Sequence, residues 1–222
     1  MKFAAIIVAA GSSRRMGFDK LLADFAGKPV LQRSIEAFAA CSEVSEIVVV
    51  CPEARFDELD VEFSEQLIQR VDGGTDRHDS VASGLAVLAG DTDFIAVHDG
   101  ARPLISVEQI RKVLQSASEY GAAASARPVT ETVKRADEHG MVSAAVSRDD
   151  LWLMETPQIF QAELLFKAYR QVQESGARVT DEVSAMELIG QPVKLVTNDS
   201  ANPKITYPAD IEQAQKHLPA ST

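Results

Sequence analysis

The sequence predicts an α/β fold, with a mostly parallel, twisted sheet flanked by helices on both faces. Short apolar runs typical of buried strands alternate with segments in which apolar residues recur at helical spacing. The first run, residues 4–9, is apolar without interruption, as in a parallel strand covered on both faces. At 222 residues, the chain is expected to form one domain, 1–222, whose core needs no disulfide or structural metal.

Six strands follow from runs of apolar or β-branched residues, because these side chains fit a pleated surface that is buried. The predicted strands cover residues 4–9, 47–51, 67–71, 93–98, 122–129 and 193–196. Ligands in such sheets bind beyond the carboxyl ends of the parallel strands. We therefore expect ligand-binding and catalytic residues directly after residues 10, 71 and 98, and near the late strands.

Six helices connect these strands, and they are expected to begin at residues 29, 80, 106, 162, 180 and 208. Pro29 and Pro208 suit a first helical position, because the φ angle of proline is already helical. Ser106 and Gln109 have the spacing of a capping box. Thr180 is expected to cap a helix that runs through residue 189.

The stretch 132–147 departs from this alternation. Its strand-like ends surround a polar centre with Gly140, which predicts a β-hairpin at about residues 130–148 that projects from the domain. A projecting hairpin with apolar residues exposes its edges unless a partner covers them. We call this segment the arm.

Charge and composition exclude several classes of protein. The chain has 33 acidic and 22 basic residues, a net charge of −11, which disfavours binding to nucleic acid or to an anionic membrane. No run approaches the roughly 20 apolar residues of a membrane span. The two cysteines, Cys41 and Cys51, indicate neither a disulfide framework nor a metal cluster. We expect a cytoplasmic protein.

Small residues and cations follow the first strand, in the segment 9–20. Gly11 allows a tight turn, and Ser12 and Ser13 leave backbone amides open to a phosphate. Three cations lie within seven residues of this segment, namely Arg14, Arg15 and Lys20. The spacings of a P-loop and of a dinucleotide fingerprint are absent. The segment predicts a phosphate-binding loop, with a solvated basic turn as the alternative.

Two further loops follow strands. Gly73 and Gly74 precede a helix with Ser80 in its first turn, which would let a base or ribose approach the backbone; a plain capped turn is the alternative. Asp99 could hold a divalent cation or a sugar hydroxyl, and Arg102 a phosphate. An Asp–Arg ion pair that staples the loop is the alternative there, and we expect His98 to be packed.

Six motifs stand in one order between residues 9 and 206: Ala-Ala-Gly-x-x-x-Arg-Met with Lys20, Gly-Gly-x-x-Arg-x-x-Ser-Val, Val-His-Asp-x-Ala-Arg-Pro, Thr-Pro-Gln-x-Phe, Thr-Asp-Glu and Asn-x-Lys-Ile-Thr. Together they resemble the 2-C-methyl-D-erythritol 4-phosphate cytidylyltransferase family of the non-mevalonate isoprenoid pathway. The resemblance implies a Rossmann-like nucleotidyltransferase that uses CTP, a polyol phosphate and Mg²⁺, the metal being held mainly by the CTP phosphates.

The resemblance also implies the site residues. The catalytic set is Arg15, Lys20, Arg148 and Lys204. The nucleotide-binding set is Ala9, Ala10, Gly11, Ser12, Ser13, Gly73, Gly74, Thr75, Ser80 and Gly100. The substrate-binding set is Asp99, Arg102, Thr132, Arg148, Thr156 and Lys204. In the family the arm reaches into a partner subunit, which implies a homodimer with a shared site.

Two positions depart from the family pattern. Thr75 stands where many relatives have an acidic residue, and Gly100 where alanine is commoner. Two other functions stay open on the sequence. One is a cytidylyltransferase for another polyol phosphate, such as ribitol 5-phosphate, and the other is a non-catalytic nucleotide-binding regulator.

Overall fold

The alternation of strands and helices builds one central sheet. The computed structural model describes residues 1–12, 17–61 and 67–218. Its strands are β1 (Phe3–Val8), β2 (Val44–Val50), β3 (Leu67–Val71), β4 (Phe94–Asp99), β5 (Ala122–Pro128), β6 (Val133–Ala136), β7 (Val142–Val146), β8 (Trp152–Gln161) and β9 (Lys194–Thr197). Its helices are α1 (Val30–Ala39), α2 (Glu53–Phe56), α3 (Arg77–Val87), α4 (Val107–Tyr120), α5 (Ala162–Ser175), α6 (Glu182–Glu187) and α7 (Pro208–Gln215).

The sheet has the order β3-β2-β1-β4-β8-β5-β9. Its neighbours pair in parallel, except that β8 runs antiparallel to both β4 and β5. The expected mostly parallel sheet is therefore confirmed. Because β1 lies between β2 and β4, it is an interior strand. The first motif begins at its carboxyl end, beside the carboxyl end of β4.

Apolar side chains cover both faces of the sheet. On β1, Phe3 and Ile7 pack with helices α1 and α4, whereas Ile6 packs on the other face with α3 and α5. All three side chains are fully buried. This two-sided burial explains why the strand is apolar at every position rather than at alternate ones.

Strand β8 was not predicted, and Pro157 explains why. Proline lacks the N–H that a central strand normally donates, so its presence argues against such a strand. In the structure, the pairing of β8 with β4 begins only at Gln158. The pairing of β8 with β5 shifts register between Ala124 and Ala126, opposite this point. The proline therefore falls at a bulge, where its missing N–H is tolerated.

Two helix starts and one capping box differ from the expectation. The cap of α6 is Asp181 rather than Thr180, because the Asp181 carboxylate accepts the Ser184 amide at 3.0 Å. Helix α3 begins at Arg77, three residues before the predicted start. The box at Ser106 is half formed: its hydroxyl accepts the Gln109 amide, but the Gln109 side chain donates inward, to Ser125. The short helix α2 was not predicted.

The arm is a separate two-stranded sheet, in which β6 and β7 pair antiparallel. The predicted hairpin is therefore confirmed. The turn end of the hairpin exposes apolar side chains: Met141 and Val142, the first residue of β7, are each 67% accessible. Within residues 1–12, 17–61 and 67–218, no helix is both long and apolar enough to cross a membrane.

Candidate active site

A cavity of about 670 Å³ opens beyond the carboxyl ends of β1 and β4, beside the first turn of α3. This is the edge at which the strand order predicts a ligand. Ten of the sequence-predicted site residues line it: Ala9, Ala10, Gly11, Ser12, Lys20, Gly74, Thr75, Ser80, Asp99 and Lys204. Two other predicted residues, Ser13 and Arg15, lie outside the described part of the chain.

The carboxylate of Asp99 is the centre of the cavity's ion pairs. Its Oδ1 accepts a hydrogen bond from Nε of Arg77 at 3.2 Å, and its Oδ2 accepts one from Nζ of Lys204 at 2.7 Å. Burial by itself raises the pKa of Asp99, but the charges of Arg77 and Lys204 outweigh it and hold that pKa well below its usual range. Asp99 is therefore an ionised acceptor at neutral pH.

Arg77 and Glu182 belong to this site, and neither was predicted. The two terminal nitrogens of Arg77 donate to Glu182 Oε1 at 2.7 Å and Oε2 at 3.0 Å, a bidentate pair. Tyr169 also donates to Glu182 Oε1, at 2.9 Å. Burial opposes the charge of Arg77, but the Glu182 and Asp99 carboxylates outweigh it and raise its pKa. Both residues lie in quoted motifs, but 105 residues separate them in the chain.

Strand β8 brings Glu182 to this position. Gln158, in the Thr-Pro-Gln motif, accepts the amides of Glu182 and Val183 on its side-chain oxygen, at 3.1 and 3.2 Å. Its side-chain nitrogen donates to Asp181 at 2.9 Å. The unpredicted strand thus fixes the first turn of α6, and through it the partner of Arg77.

Thr156 and His98 lie behind Asp99 rather than in the cavity lining. The Thr156 hydroxyl oxygen accepts the Asp99 amide at 3.1 Å and lies 2.9 Å from His98 Nδ1. The Arg102 carbonyl can only accept, so Nε2 of His98, which lies 3.3 Å from it, carries the ring proton. Nδ1 of the neutral ring is then the acceptor, and the Thr156 hydroxyl donates to it. Burial lowers the pKa of His98 to about 3. The expectation that His98 is packed is confirmed, since its side chain is fully buried.

Arg102 also lies behind Asp99. Its guanidinium donates to the carbonyls of Asn202 at 2.8 Å and Met154 at 3.4 Å, and its Nε lies 3.8 Å from Asp99 Oδ2. Burial lowers its pKa, although the Asp99 carboxylate partly offsets this. Arg102 therefore links the end of β4 to β8 and to the loop after β9, and its contact with Asp99 agrees with the ion-pair alternative.

Two predicted nucleotide-binding glycines are sites of close packing. A Cβ on Gly73 would come within 2.2 Å of Ala10 Cβ, and one on Gly100 within 2.7 Å of Leu31 Cδ1. The Gly100 amide also donates to the Val8 carbonyl at 2.9 Å. Gly100 therefore allows β1 and β4 to end side by side. The Leu31 side chain occupies the space that the Cβ of the commoner alanine would take.

Thr132 and Arg148 lie on or beside the arm, and both are exposed. Arg148 donates from Nη1 to the carbonyl of Thr130, within the same segment. Neither residue lines the cavity of its own chain. The fold thus separates these two from the other described site residues.

The lining carries more cations than carboxylates. Lys20, Arg77 and Lys204 are its basic residues in the described chain, against Asp76 and Asp99. Lys20 reaches across the cavity, because its Nζ donates to the carbonyl of Ile205 at 2.7 Å. The cavity therefore suits an anionic ligand, although the chain as a whole is acidic.

The carboxylates near the cavity bear on metal binding. Asp76, His78 and Asp79 bring donor atoms within 4.8 Å of one another, but the Asp79 carboxylate accepts the Asp76 amide at 2.9 Å, at the start of α3. That cluster is therefore explained by helix capping. Mg²⁺ usually takes one or two carboxylates together with substrate phosphates. Asp76 and Asp99 in the lining fit that modest requirement.

Comparisons with known proteins agree with this geometry. A family model described as 2-C-methyl-D-erythritol 4-phosphate cytidylyltransferase matches residues 3–219. The protein of that name from Pelotomaculum thermopropionicum is 40% identical over 226 residues, which cover 99% of this chain and 95% of the relative. The relative from Desulforamulus reducens is 39% identical, covering 96% and 94%. The solved Francisella tularensis protein is 28% identical with a TM-score of 0.84, covering 98% and 99%.

The buried ion pair of Arg77 predicts a large effect of Glu182→Gln on stability. This change keeps the shape of the side chain but leaves the charge of Arg77 partly uncompensated beneath the cavity. Breaking a buried pair commonly costs about 3–5 kcal/mol, and urea unfolding should show a loss of this order. Glu43→Gln is the control, because it breaks a 2.8 Å pair with Arg111 whose two side chains are 34% and 49% exposed, and it should change stability little. Equal losses in the two variants would contradict the prediction.

Proposed function

Because the chain belongs to the 2-C-methyl-D-erythritol 4-phosphate cytidylyltransferase family, we propose that it transfers CMP from CTP to 2-C-methyl-D-erythritol 4-phosphate. The products are 4-diphosphocytidyl-2-C-methyl-D-erythritol and pyrophosphate, in the non-mevalonate route to isoprenoid precursors. The observation that carries the proposal is the convergence of Lys20, Arg77 and Lys204 around Asp99 in one cavity. The ammonium groups of Lys20 and Lys204 in that cavity suit the phosphates of two substrates.

The chemistry is an in-line displacement at phosphorus. An oxygen of the polyol phosphate attacks the α-phosphorus of CTP, the bond to the β-phosphate oxygen breaks, and pyrophosphate leaves with the electron pair. The attacking phosphate is already ionised near neutral pH, so no general base is required. Catalysis then consists of positioning the reactants and stabilising the charge that develops on the transferred phosphoryl group.

The first two motifs would bind the nucleotide. The segment from Ala9 to Ser12 lies at the end of β1, and its amides, with Ser13 and Arg15, would surround the triphosphate. Ser80 shapes the second loop: its hydroxyl accepts the Gly74 amide at 3.1 Å and donates to the Asp76 carbonyl at 3.2 Å. That loop, including Thr75, would hold the base and ribose.

Asp99 and Lys204 would bind the acceptor. An ionised carboxylate accepts hydrogen bonds from polyol hydroxyls, and the neighbouring ammonium of Lys204 would hold the phosphate. Thr156 and Arg102 would support this role indirectly, since both contact Asp99 and neither lines the cavity.

Magnesium is the proposed cofactor, held mainly by the CTP phosphates. Asp76 and Asp99 are the cavity carboxylates available to it. When bound, it would neutralise charge on the phosphates of CTP.

A homodimer is proposed through the arm. The arm exposes Met141 and Val142, and apolar side chains at a hairpin end favour a partner surface. Thr132 and Arg148 lie on the same segment, away from the cavity of their own chain. We propose that they complete the substrate-phosphate site of the partner subunit.

The state of the two cysteines indicates the cellular compartment of the protein. Cys41 and Cys51 are free and buried, and burial raises the pKa of each thiol to about 11. Two unlinked thiols in a chain of this size are typical of a reducing compartment. The cytoplasm is therefore the proposed location.

The central experiment measures pyrophosphate release with CTP and Mg²⁺. Turnover is expected with 2-C-methyl-D-erythritol 4-phosphate, and ribitol 5-phosphate is the matched competitor because its phosphate contacts are similar. Faster turnover with ribitol 5-phosphate would favour the other polyol activity. Calorimetry that shows CTP binding without any turnover would instead favour a regulator.

Lys20→Ala should keep the fold and lose turnover by about 10²–10³, the usual cost of removing one electrostatic partner of a transition state. The loss is measured in steady state, with circular dichroism to check folding. Lys28→Ala is the control, because Lys28 forms an ion pair with Glu36 outside the cavity. Near-normal turnover of Lys20→Ala would remove Lys20 from the reaction.

A shared site predicts that two inactive variants complement each other. Lys20→Ala and Arg148→Ala, unfolded and refolded together, form mixed dimers in which one of the two sites has both residues. About a quarter of wild-type turnover should return, because half of the dimers are mixed. Lys20→Ala mixed with Lys204→Ala is the control: both residues line one chain's cavity, so no activity should return. Recovery in neither mixture would contradict sharing through Arg148.

A further inference from the structure

Arg55 contacts the phosphate-binding loop from a part of the chain that no site motif includes. It lies on the four-residue helix α2, and its side chain is only 8% exposed. Its Nη1 donates to the Ala9 carbonyl and its Nη2 to the Gly11 carbonyl, at 3.2 Å. Its Nε donates to Asp19 Oδ2 at 2.8 Å. The guanidinium therefore uses three different nitrogens on one loop.

These bonds join the two ends of that loop. Ala9 and Gly11 begin it, directly after β1, whereas Asp19 precedes Lys20 at its other end. The second oxygen of Asp19 accepts the Leu21 amide at 3.0 Å, so the Asp19 carboxylate links Arg55 to the backbone directly after Lys20. One rigid, planar side chain thus sets the separation between the loop's start and Lys20, the proposed electrostatic partner of the transition state.

The bonds also set the direction of the loop's amides. A trans peptide unit is planar, with its C=O and its N–H pointing in opposite directions. Because the carbonyls of Ala9 and Gly11 point to Arg55, the N–H groups of Ala10 and Ser12 point away from it. Ala10 and Ser12 both line the cavity. The buried cation therefore keeps carbonyl oxygens, which would repel a phosphate, turned from the ligand.

We propose that Arg55 is a positioning residue for the triphosphate of CTP, acting through the loop and Lys20 without touching substrate. This inference rests on the proposed function for the identity of its nucleotide. A merely structural arginine would change stability alone, whereas a positioning residue changes the KM for CTP and kcat while the KM for the polyol phosphate stays.

The chain contains a matched control in Arg33. Its Nε donates to the Phe25 carbonyl and its Nη2 to the Ala26 carbonyl, both at 2.6 Å. Arg33 thus holds a turn by the same kind of bond, but the turn at residues 25–26 does not line the cavity. Any effect common to both arginines is an effect of holding a turn.

The experiment compares Arg55→Lys with Arg33→Lys. Lysine keeps the charge but cannot hold three acceptors in one plane. In Arg55→Lys, kcat/KM for CTP should fall about tenfold to a hundredfold, since small misplacements of reacting groups have effects of this size. The KM for the polyol phosphate should stay within about twofold of wild type. Arg33→Lys should leave kcat, the KM for CTP and the KM for the polyol phosphate unchanged. Wild-type CTP constants in Arg55→Lys, or an equal fall in both variants, would overturn the proposal.

Asp19→Asn extends the test if Arg55→Lys does not fold. It weakens one of the three bonds and leaves the arginine in place, so kcat/KM for CTP should fall in the same direction by a smaller factor. An unchanged value would overturn the proposal.

Calorimetry with CTP and Mg²⁺ alone distinguishes failure of the proposed function from failure of the role of Arg55. Wild-type protein that binds no CTP refutes the proposed function. Wild-type and Arg55→Lys proteins that bind CTP equally, with equal kcat, refute only the role of Arg55.

Discussion

The buried carboxylate of Asp99 is the constraint on which the site depends. A buried, unpaired carboxylate would be strongly destabilising or would become protonated. Arg77 and Lys204 prevent both outcomes by donating to its two oxygens, and Thr156 holds its backbone amide. Satisfying this one group draws α3, β8 and the segment after β9 to the end of β4. The cavity is the space that remains between them.

The distribution of charge resolves an apparent conflict between composition and function. A net charge of −11 suggests a protein that repels anions, yet among the described residues the cavity lining has three cations and two carboxylates. Acidic side chains elsewhere are largely solvated, as at Glu108 and Glu138, which are 78% and 86% exposed. Field strength at a site depends on nearby, partly buried charges, because salt screens the distant, exposed ones.

Much of the site is built by residues that do not face the ligand space. Gly73 and Gly100 allow backbones to approach where a Cβ would clash. Gln158 holds the first turn of α6, and Glu182 in turn fixes Arg77 by two bonds. Such supporting bonds determine where the few cavity side chains point. Preorganised groups of this kind stabilise developing charge without the reorganisation that water would require.

The sequence by itself determined the strands buried on both faces, the arm as a hairpin and the loops that end β1 and β4. Those features depend on local periodicity, turn chemistry and short motifs, which neighbouring residues carry. Only the tertiary structure decided that β8 lies between β4 and β5, because Pro157 argues against a central strand in the sequence. It also decided that Arg77 pairs with Glu182 and that Thr156 and Arg102 face inward. Contacts between residues about 100 positions apart depend on which strands become neighbours, and no local pattern encodes that choice.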